Sequence, residues 1–405
     1  LKIFCAYVLG LVVFAALALS GCGGGGGSTG LSPAPHGKWT VLVYMNAAND
    51  LDAYSSVNMQ QMQQVAANSN VSFVVQWKQS TKVTPAATFN GTRRYLIKSN
   101  LTSNVQNQLL QDMGTNVDMG VPATLNSFIA WGKKYFPADH YCLVIWDHGN
   151  GWLPQQGVGE HAPPAFSYDG QSGHSIQIWQ LNQAFANQHV DITAYDCSLM
   201  QMDEVAYQMV GMTDYLAGSE ESPPGTGYPY QLVFAEFTAN PTGSPLTLSK
   251  AFVDGMINYP SYDNQKIEQS VVATAQLSGV ASATASLRQA MVSNEAALAP
   301  IIPGLRNTVQ SYLPTTTRYF YDSVDLCNQL SAGTSISSVQ TACTSYVAAV
   351  NTAIVWEGHN SNSPGSHGLS IDFSPSSFFN TVSNDYTQLA WNTATDWSQW
   401  LSIAP

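Results

Sequence analysis

The chain reads as an α/β protein: a mostly parallel sheet with helices on both faces, followed by a helix-rich C-terminal part. Three observations carry that reading. Val41-Leu42-Val43-Tyr44-Met45, Leu143-Val144-Ile145-Trp146 and Ile192-Thr193-Ala194-Tyr195 are nearly unbroken apolar runs, as expected of strands buried on both faces. Helix-patterned segments separate them, which calls for crossover connections and parallel pairing. Finally, 405 residues with 45% hydrophobic content suffice for one large core. In such sheets chemistry gathers just beyond the carboxyl ends of the strands. Two runs end there in reactive side chains, at Trp146-Asp147-His148-Gly149 and at Tyr195-Asp196-Cys197-Ser198. A base and a nucleophile carried by two strand ends can meet in one cleft.

Trp39 to Met45 is the first strand. Asn49-Asp50-Leu51-Asp52 opens a helix to about Ala67, because Asn and Asp side chains satisfy the free amides of a helix start. Val71 to Trp77 and Arg93 to Ile97 follow as strands, rich in β-branched and aromatic residues. Pro122 suits a first helical turn, and the helix runs to Lys134 before the strand that ends at His148. Gly149 to Gly173 is a Gly- and Pro-rich loop, the kind that carries function on a rigid scaffold. Ile178 to Gln188 is helical, Val190 to Asp196 is a strand, Met202 to Val210 a helix and Tyr215 to Ser219 a strand. From Leu246 to about Ala349, Ala, Ser, Leu and Gln dominate and predict several helices. Thr352 to Glu357 and Gly368 to Phe373 return to strand-like texture, and Tyr386 to Leu401 reads as a closing helix.

The first residues belong to targeting, not to the fold. Lys2 precedes an apolar stretch from Ile3 to Leu19, and Leu19-Ser20-Gly21-Cys22 resembles the bacterial lipoprotein cleavage box. That resemblance implies that Cys22 carries a lipid and tethers the chain to a membrane, with a retained transmembrane anchor as the competing reading. Gly23, not Asp, follows Cys22 and points to an exported lipoprotein of the cell envelope at the outer membrane. The expected organisation is a signal peptide at 1–22, a flexible tether at 23–37, a catalytic core at 38–245 and a helix-rich part at 246–405 that completes it.

Lys and Arg number 14 against 26 Asp and Glu, a formal charge of −12 that repels phosphate backbones and excludes nucleic acid as a partner. The histidines form no HExxH spacing and the acids no EF-hand loop, so no metal or other cofactor is expected from local motifs. Cys142 reads as a buried apolar residue. Cys327 and Cys343 leave a disulfide and two free thiols equally open.

Several blocks resemble the clostripain family of cysteine peptidases, from Trp39 to Leu401. They are Lys38 to Met45 with Asn49-Asp50-Leu51, Trp146 to Trp152, Tyr195 to Met200 with Glu204-Val205-Ala206-Tyr207, Ser219-Glu220-Glu221 and Gly368 to Ile371. The resemblance implies a caspase-like fold, His148 as the catalytic histidine, and Gly149 as a donor to the oxyanion hole. It also implies Asp196 as the carboxylate that selects a basic residue, the other reading being a hydrogen bond to the strand end; for Ser219-Glu220-Glu221, at a strand end, lining the substrate cleft and turn or capping chemistry are equally open. Calcium dependence occurs in the family, though this chain has no local motif for it.

One block departs from the family pattern of aromatic-Asp-Ala-Cys-Leu-Met. Laid on without a gap, Cys197 falls at the alanine and Ser198 at the nucleophile, while Asp196, Leu199, Met200 and Glu204 stay in step. Strand neighbours face opposite ways, so only one of Cys197 and Ser198 can meet His148, and the register favours Ser198. The expectation is an endopeptidase that cleaves peptides or proteins after basic residues through His148 and a Ser198 or Cys197 nucleophile. The alternative is an impaired pseudo-peptidase that binds peptides or a partner at the cell surface. Family members often mature by cutting after a basic residue between histidine and nucleophile. No Lys or Arg stands between Lys134 and Lys250, so this chain is expected to stay uncut there.

Overall fold

In chain order the first strands are β1 (Gly37–Ala47), β2 (Val71–Gln79), β3 (Gly91–Leu96), β4 (Gln108–Asp112) and β5 (Ala138–Trp146). A short hairpin, β6 (Phe166–Asp169) and β7 (His174–Ile176), precedes β8 (Val190–Asp196) and β9 (Thr213–Gly218). The C-terminal part adds β10 (Glu268–Ala273), β11 (Ser311–Thr315), β12 (Arg318–Asp322), β13 (Ile354–His359) and β14 (Ser370–Asp372). Nine of these form one sheet in the order β13-β10-β9-β8-β5-β1-β2-β3-β4. Its middle, from β9 through β8, β5 and β1 to β2, is parallel, and both flanks are antiparallel. This computed structural model describes residues 31–153, 166–315 and 318–405. The signal segment with Cys22, most of the tether, and 154–165 of the loop lie outside them.

The strand order follows from how the apolar runs are wrapped. From β1 the chain crosses through α1 (Asp52–Gln63) to β2 on one side, then returns through α2 (Pro122–Tyr135) to β5 on the other. β1 and β5 therefore flank the point where the winding reverses, and a crevice opens beyond their carboxyl ends. Alternate residues of β1 feed two cores. Leu42 and Tyr44 pack with α2, α3 (Leu181–Ala184), α4 (Asp203–Gln208) and the C-terminal helices. Val41, Val43 and Met45 pack with α1, α5 (Tyr230–Ala239) and α6 (Pro245–Ile257). Each large aliphatic or aromatic side chain so buried contributes about 1.5–3 kcal/mol. On α2, Leu125, Phe128, Ile129 and Gly132 make the buried stripe, and a methyl at 132 would fall 2.4 Å from Leu42 Cδ2.

Residues Ser32–Pro405 form one compact unit. The chain beyond 245 does not stand apart, because β10 and β13 extend the main sheet past β9. β10 lies where helices were expected. Its polar residues Glu268, Gln269 and Ser270 are buried and hydrogen-bonded, with Ser270 Oγ donating to Gly368 O at 2.6 Å. A strand whose inward residues are polar gives no apolar signal. A second, three-stranded antiparallel sheet, β11-β12-β14, was not foreseen either. The closing helix is three short ones, Ser376–Tyr386, Ala390–Thr395 and Ser398–Leu401, the last break marked by Asp396 at φ 54°. Cys327 and Cys343 are buried free thiols, not a disulfide. No helix among the described residues is long and apolar enough to cross a membrane.

Candidate active site

A cleft of about 350 Å³ opens beyond the carboxyl ends of β1, β5 and β8, lined by Asp50, Tyr54, His148, Asp196, Ser198 and the Ser222–Gly225 segment among others. Each strand end contributes in its own way. β5 runs out at Trp146, and His148 follows two residues later with its side chain 27% exposed. Its amide donates to Asp147 Oδ1 at 2.6 Å, which fixes the backbone at the turn.

On β8 the side chains alternate between the two cores: Ala194 on one, Tyr195 on the other. Asp196 then meets Tyr228 and Tyr230 on the first side, and Cys197 returns to the Tyr195 side. Cys197 is 1% exposed and its Sγ donates to Ile145 O at 3.2 Å, with burial holding the thiol well above its ordinary pKa. A buried, protonated thiol is a poor nucleophile. Ser198 is half-buried and its Oγ shares a hydrogen bond with Ser222 Oγ at 2.8 Å. Leu199 follows at φ 67°, a left-handed turn that is costly for a bulky residue.

Gly149 packs directly on the peptide that joins Cys197 to Ser198. A Cβ there would lie 2.3 Å from Ser198 O, 2.9 Å from Cys197 Cβ and 3.0 Å from Ser198 N. Only glycine permits this approach of two backbones. The His148 and Ser198 turns are thereby held against each other.

Asp196 sits at the floor of the cleft, 6% exposed. Its Oδ2 accepts from the Tyr230 hydroxyl at 2.7 Å and its Oδ1 from the Tyr228 amide at 3.1 Å. Burial pushes its carboxyl up to about 7, against the pull of those two hydrogen bonds. Gly227 covers it at φ 57°, where a methyl would fall 2.2 Å from Oδ1. Glu220 and Glu221 take other positions. Glu220 is fully buried behind the cleft, where its Oε2 accepts from the Gly368 amide at 2.9 Å. Glu221 is 3% exposed, receives the Ser222 amide at 2.9 Å, and lines a neighbouring cavity of about 430 Å³ with Lys266 and Leu313.

Two features of the site went unread in the sequence. Ser222 reaches Ser198 from the loop after β9. Asp50, noted as part of a helix start, faces the histidine: His148 Nε2 donates to Asp50 Oδ1 at 2.7 Å. The neighbouring Asn49 fixes that loop, its Nδ2 donating to Asp147 Oδ1 at 2.7 Å and to Tyr168 O at 2.9 Å. Burial would depress the imidazole, but the hydrogen bond to Asp50 and the charges of Asp147 and Asp50 outweigh it and raise its pKa. The signal available was positional, since Asp50 follows the strand next to β5. Among the described residues no group of three or more His, Cys, Asp or Glu side chains is placed to hold a metal ion.

Residues 43–403 match the profile of the clostripain family. Clostripain of Hathewaya histolytica is 24% identical over an alignment 225 residues long that covers 50% of this chain and 42% of that protein. The matched part thus spans less than half the length of that relative. Among solved structures, a secreted C11 cysteine protease from Bacteroides thetaiotaomicron in complex with an irreversible peptide inhibitor is similar with a TM-score of 0.69 and 21% identity, over 89% of this chain and 99% of its own. An inactive zymogen C11 protease from Parabacteroides distasonis is similar with a TM-score of 0.67 and 20% identity, over 89% of this chain and 98% of its own. Both likenesses are of fold, and the caspase-like sheet expected from the sequence is the one observed.

Proposed function

The chain belongs to the clostripain family, and on that premise we propose that it is an endopeptidase that cuts peptides after basic residues, with Ser198 as nucleophile and His148 as base and acid. The observation that carries this reading is the division at the end of β8: both residues border the His148 cleft, but Cys197 is 1% exposed with its thiol turned to Ile145 O, while Ser198 is half-buried with its hydroxyl bonded to Ser222 Oγ.

The steps follow acyl-transfer chemistry. Ser198 Oγ bonds to the scissile carbonyl carbon as its proton passes to His148, and the carbonyl electrons move onto oxygen. The amides of Gly149 and Ser198 stabilise that oxyanion. The C–N bond breaks as His148 returns the proton to the leaving amine. Water then attacks the ester by the same route, releasing the carboxylic acid and restoring the Ser198 hydroxyl. Asp196 receives the basic side chain before the cut bond. Asp50 and Asp147 line the same cleft with it, and among the described residues no Lys or Arg does. A guanidinium or ammonium entering there gives the buried Asp196 the opposite charge it lacks and draws it to its ionised form. The same reading places the enzyme outside the cytoplasm, held at the outer membrane through a lipid on Cys22.

Turnover of Arg- and Lys-ended reporter peptides by wild type, Cys197→Ala and Ser198→Ala tests this. Cys197→Ala is expected to keep cutting, and Ser198→Ala to lose on the order of 10⁴-fold or more in kcat. Loss with Cys197→Ala alone would assign the chemistry to the thiol. A folded wild type without turnover would favour a surface protein that binds peptides without cutting them.

A further inference from the structure

We propose that Asp50 is the positioning carboxylate of a Ser198–His148–Asp50 relay, an element that a thiol nucleophile does not require; this rests on the serine-peptidase reading above. A cysteine beside an imidazole ionises readily and attacks as thiolate. A serine hydroxyl does not ionise near neutrality. It needs an imidazole held in one tautomer and one orientation, with the imidazolium stabilised as the proton arrives. Replacing sulfur by oxygen at the end of β8 therefore creates a demand for a third group.

The fold meets that demand at its winding reversal. Asp50 leaves the end of β1 and His148 the end of β5, which are neighbours in the sheet. With Nε2 donating to Asp50 Oδ1 at 2.7 Å, Nδ1 is the nitrogen left to accept a proton; Ser198 lines the same cleft, and its hydroxyl must turn from Ser222 Oγ to deliver one. The Asp50 backbone is clamped on both sides. Asn49 Oδ1 accepts from the Leu51 amide at 3.0 Å, its Nδ2 bonds to Asp147 and Tyr168, and the Gly170 amide donates to Ala48 O at 2.9 Å. Asn49 thus couples the Asp50 turn to the His148 turn through Asp147. Among the described residues, the titratable and charged groups that face the imidazole or line its cleft are Asp50, Tyr54, Asp147, Asp196 and Cys197. The field there favours the imidazolium.

The Asp50 side chain is 81% exposed, unlike a buried triad aspartate, whose conversion to Asn costs about 10⁴ in kcat. Water can replace part of an exposed partner, so the expected loss for Asp50→Asn is about 10- to 100-fold in kcat with KM within about two-fold. Because the carboxylate raises the imidazole pKa, its removal moves the acid limb of kcat/KM to lower pH, which a purely structural role would not do. Asp50→Glu should recover part of the loss. Wild type, Asp50→Asn and Asp50→Glu are compared on Arg- and Lys-ended reporters between about pH 5 and 9. In parallel, His148 is titrated by NMR with labelled histidine in wild type and Asp50→Asn. Support is a downward move of both the acid limb and the His148 titration, with melting temperature held. An unmoved titration with unchanged kcat overturns the relay and leaves the peptidase reading standing. A folded wild type that cuts neither reporter overturns the peptidase reading and the relay with it.

Discussion

Lys78→Met tests whether the hairpin under the Asn49–Asp50 turn is held by one buried ion pair. Lys78 is on β2 and Asp169 on β6, with side chains 2% and 0% exposed, and Nζ lies 2.5 Å from Asp169 Oδ2. Nζ also donates to Val117 O at 2.7 Å. Asp169 holds more than the lysine: its Oδ2 accepts the Met119 amide at 2.8 Å and its Oδ1 the Gln171 amide at 3.1 Å. Removing one partner of a buried pair costs about 3–5 kcal/mol, since the other charge stays behind without compensation. The two amides remain to solvate Asp169, which places this substitution at the lower end, about 3 kcal/mol. At about 2 °C per kcal/mol for a large domain, the melting temperature falls by roughly 6 °C. Catalysis should fall with it, because Tyr168 O, which anchors Asn49, is the neighbour of Asp169. Urea denaturation of wild type, Lys78→Met, Asp169→Asn and the double variant gives the coupling directly. The double variant should lose less than the two single losses added together. A Lys78→Met protein within about 1 kcal/mol of wild type would refute the reasoning.

Two further outcomes are expected. Burial raises Asp196, Asp203 and Glu268 to about 7 and Asp372 to about 6, whereas unfolded carboxyls titrate near about 4. Between those limits the folded chain binds more protons than the unfolded one, so stability is full at the lower pH and declines as pH rises toward about 7. Melting temperatures should fall from about pH 5 to 8, and a steady rise would contradict these assignments. Incubation of purified protein at neutral pH, followed by mass spectrometry, should find one intact chain between Lys134 and Lys250; a cut within 149–197 would overturn that expectation.

The parallel centre of the sheet was legible because its strands are apolar on both faces, and such runs admit little else. What the sequence concealed lies at the flanks. β10 is polar because its side chains answer hydrogen-bonding groups just after β9 and before β14, as when Ser219 Oγ donates to Glu268 Oε1 at 2.6 Å. The same long-range partnership draws Glu220 behind the cleft. Its companions, the Gly368 amide and the carboxyl of Glu268, come from segments 48 and 148 residues away, beyond the reach of any local pattern.

The site divides along a similar line. Register along one strand was enough to place Cys197 on the Tyr195 side and its neighbour Ser198 elsewhere, since period-two alternation is a local rule and Tyr195 already fixes the phase. The Asp50–His148 contact is of another kind: 98 residues separate the two, and only the order of strands makes them neighbours. That order has a sequence cause in the crossovers through α1 and α2, one to each side of β1. A winding reversal puts two strand ends beside a crevice whatever side chains they carry. In this chain one end carries a carboxylate and the other an imidazole, and the hydroxyl waits one strand further on, at the end of β8. A thiol nucleophile in that place would need only the second of these; if the proposed serine chemistry operates, a hydroxyl would use all three, and the residue at 198 and the contact at 50 would answer one chemical requirement.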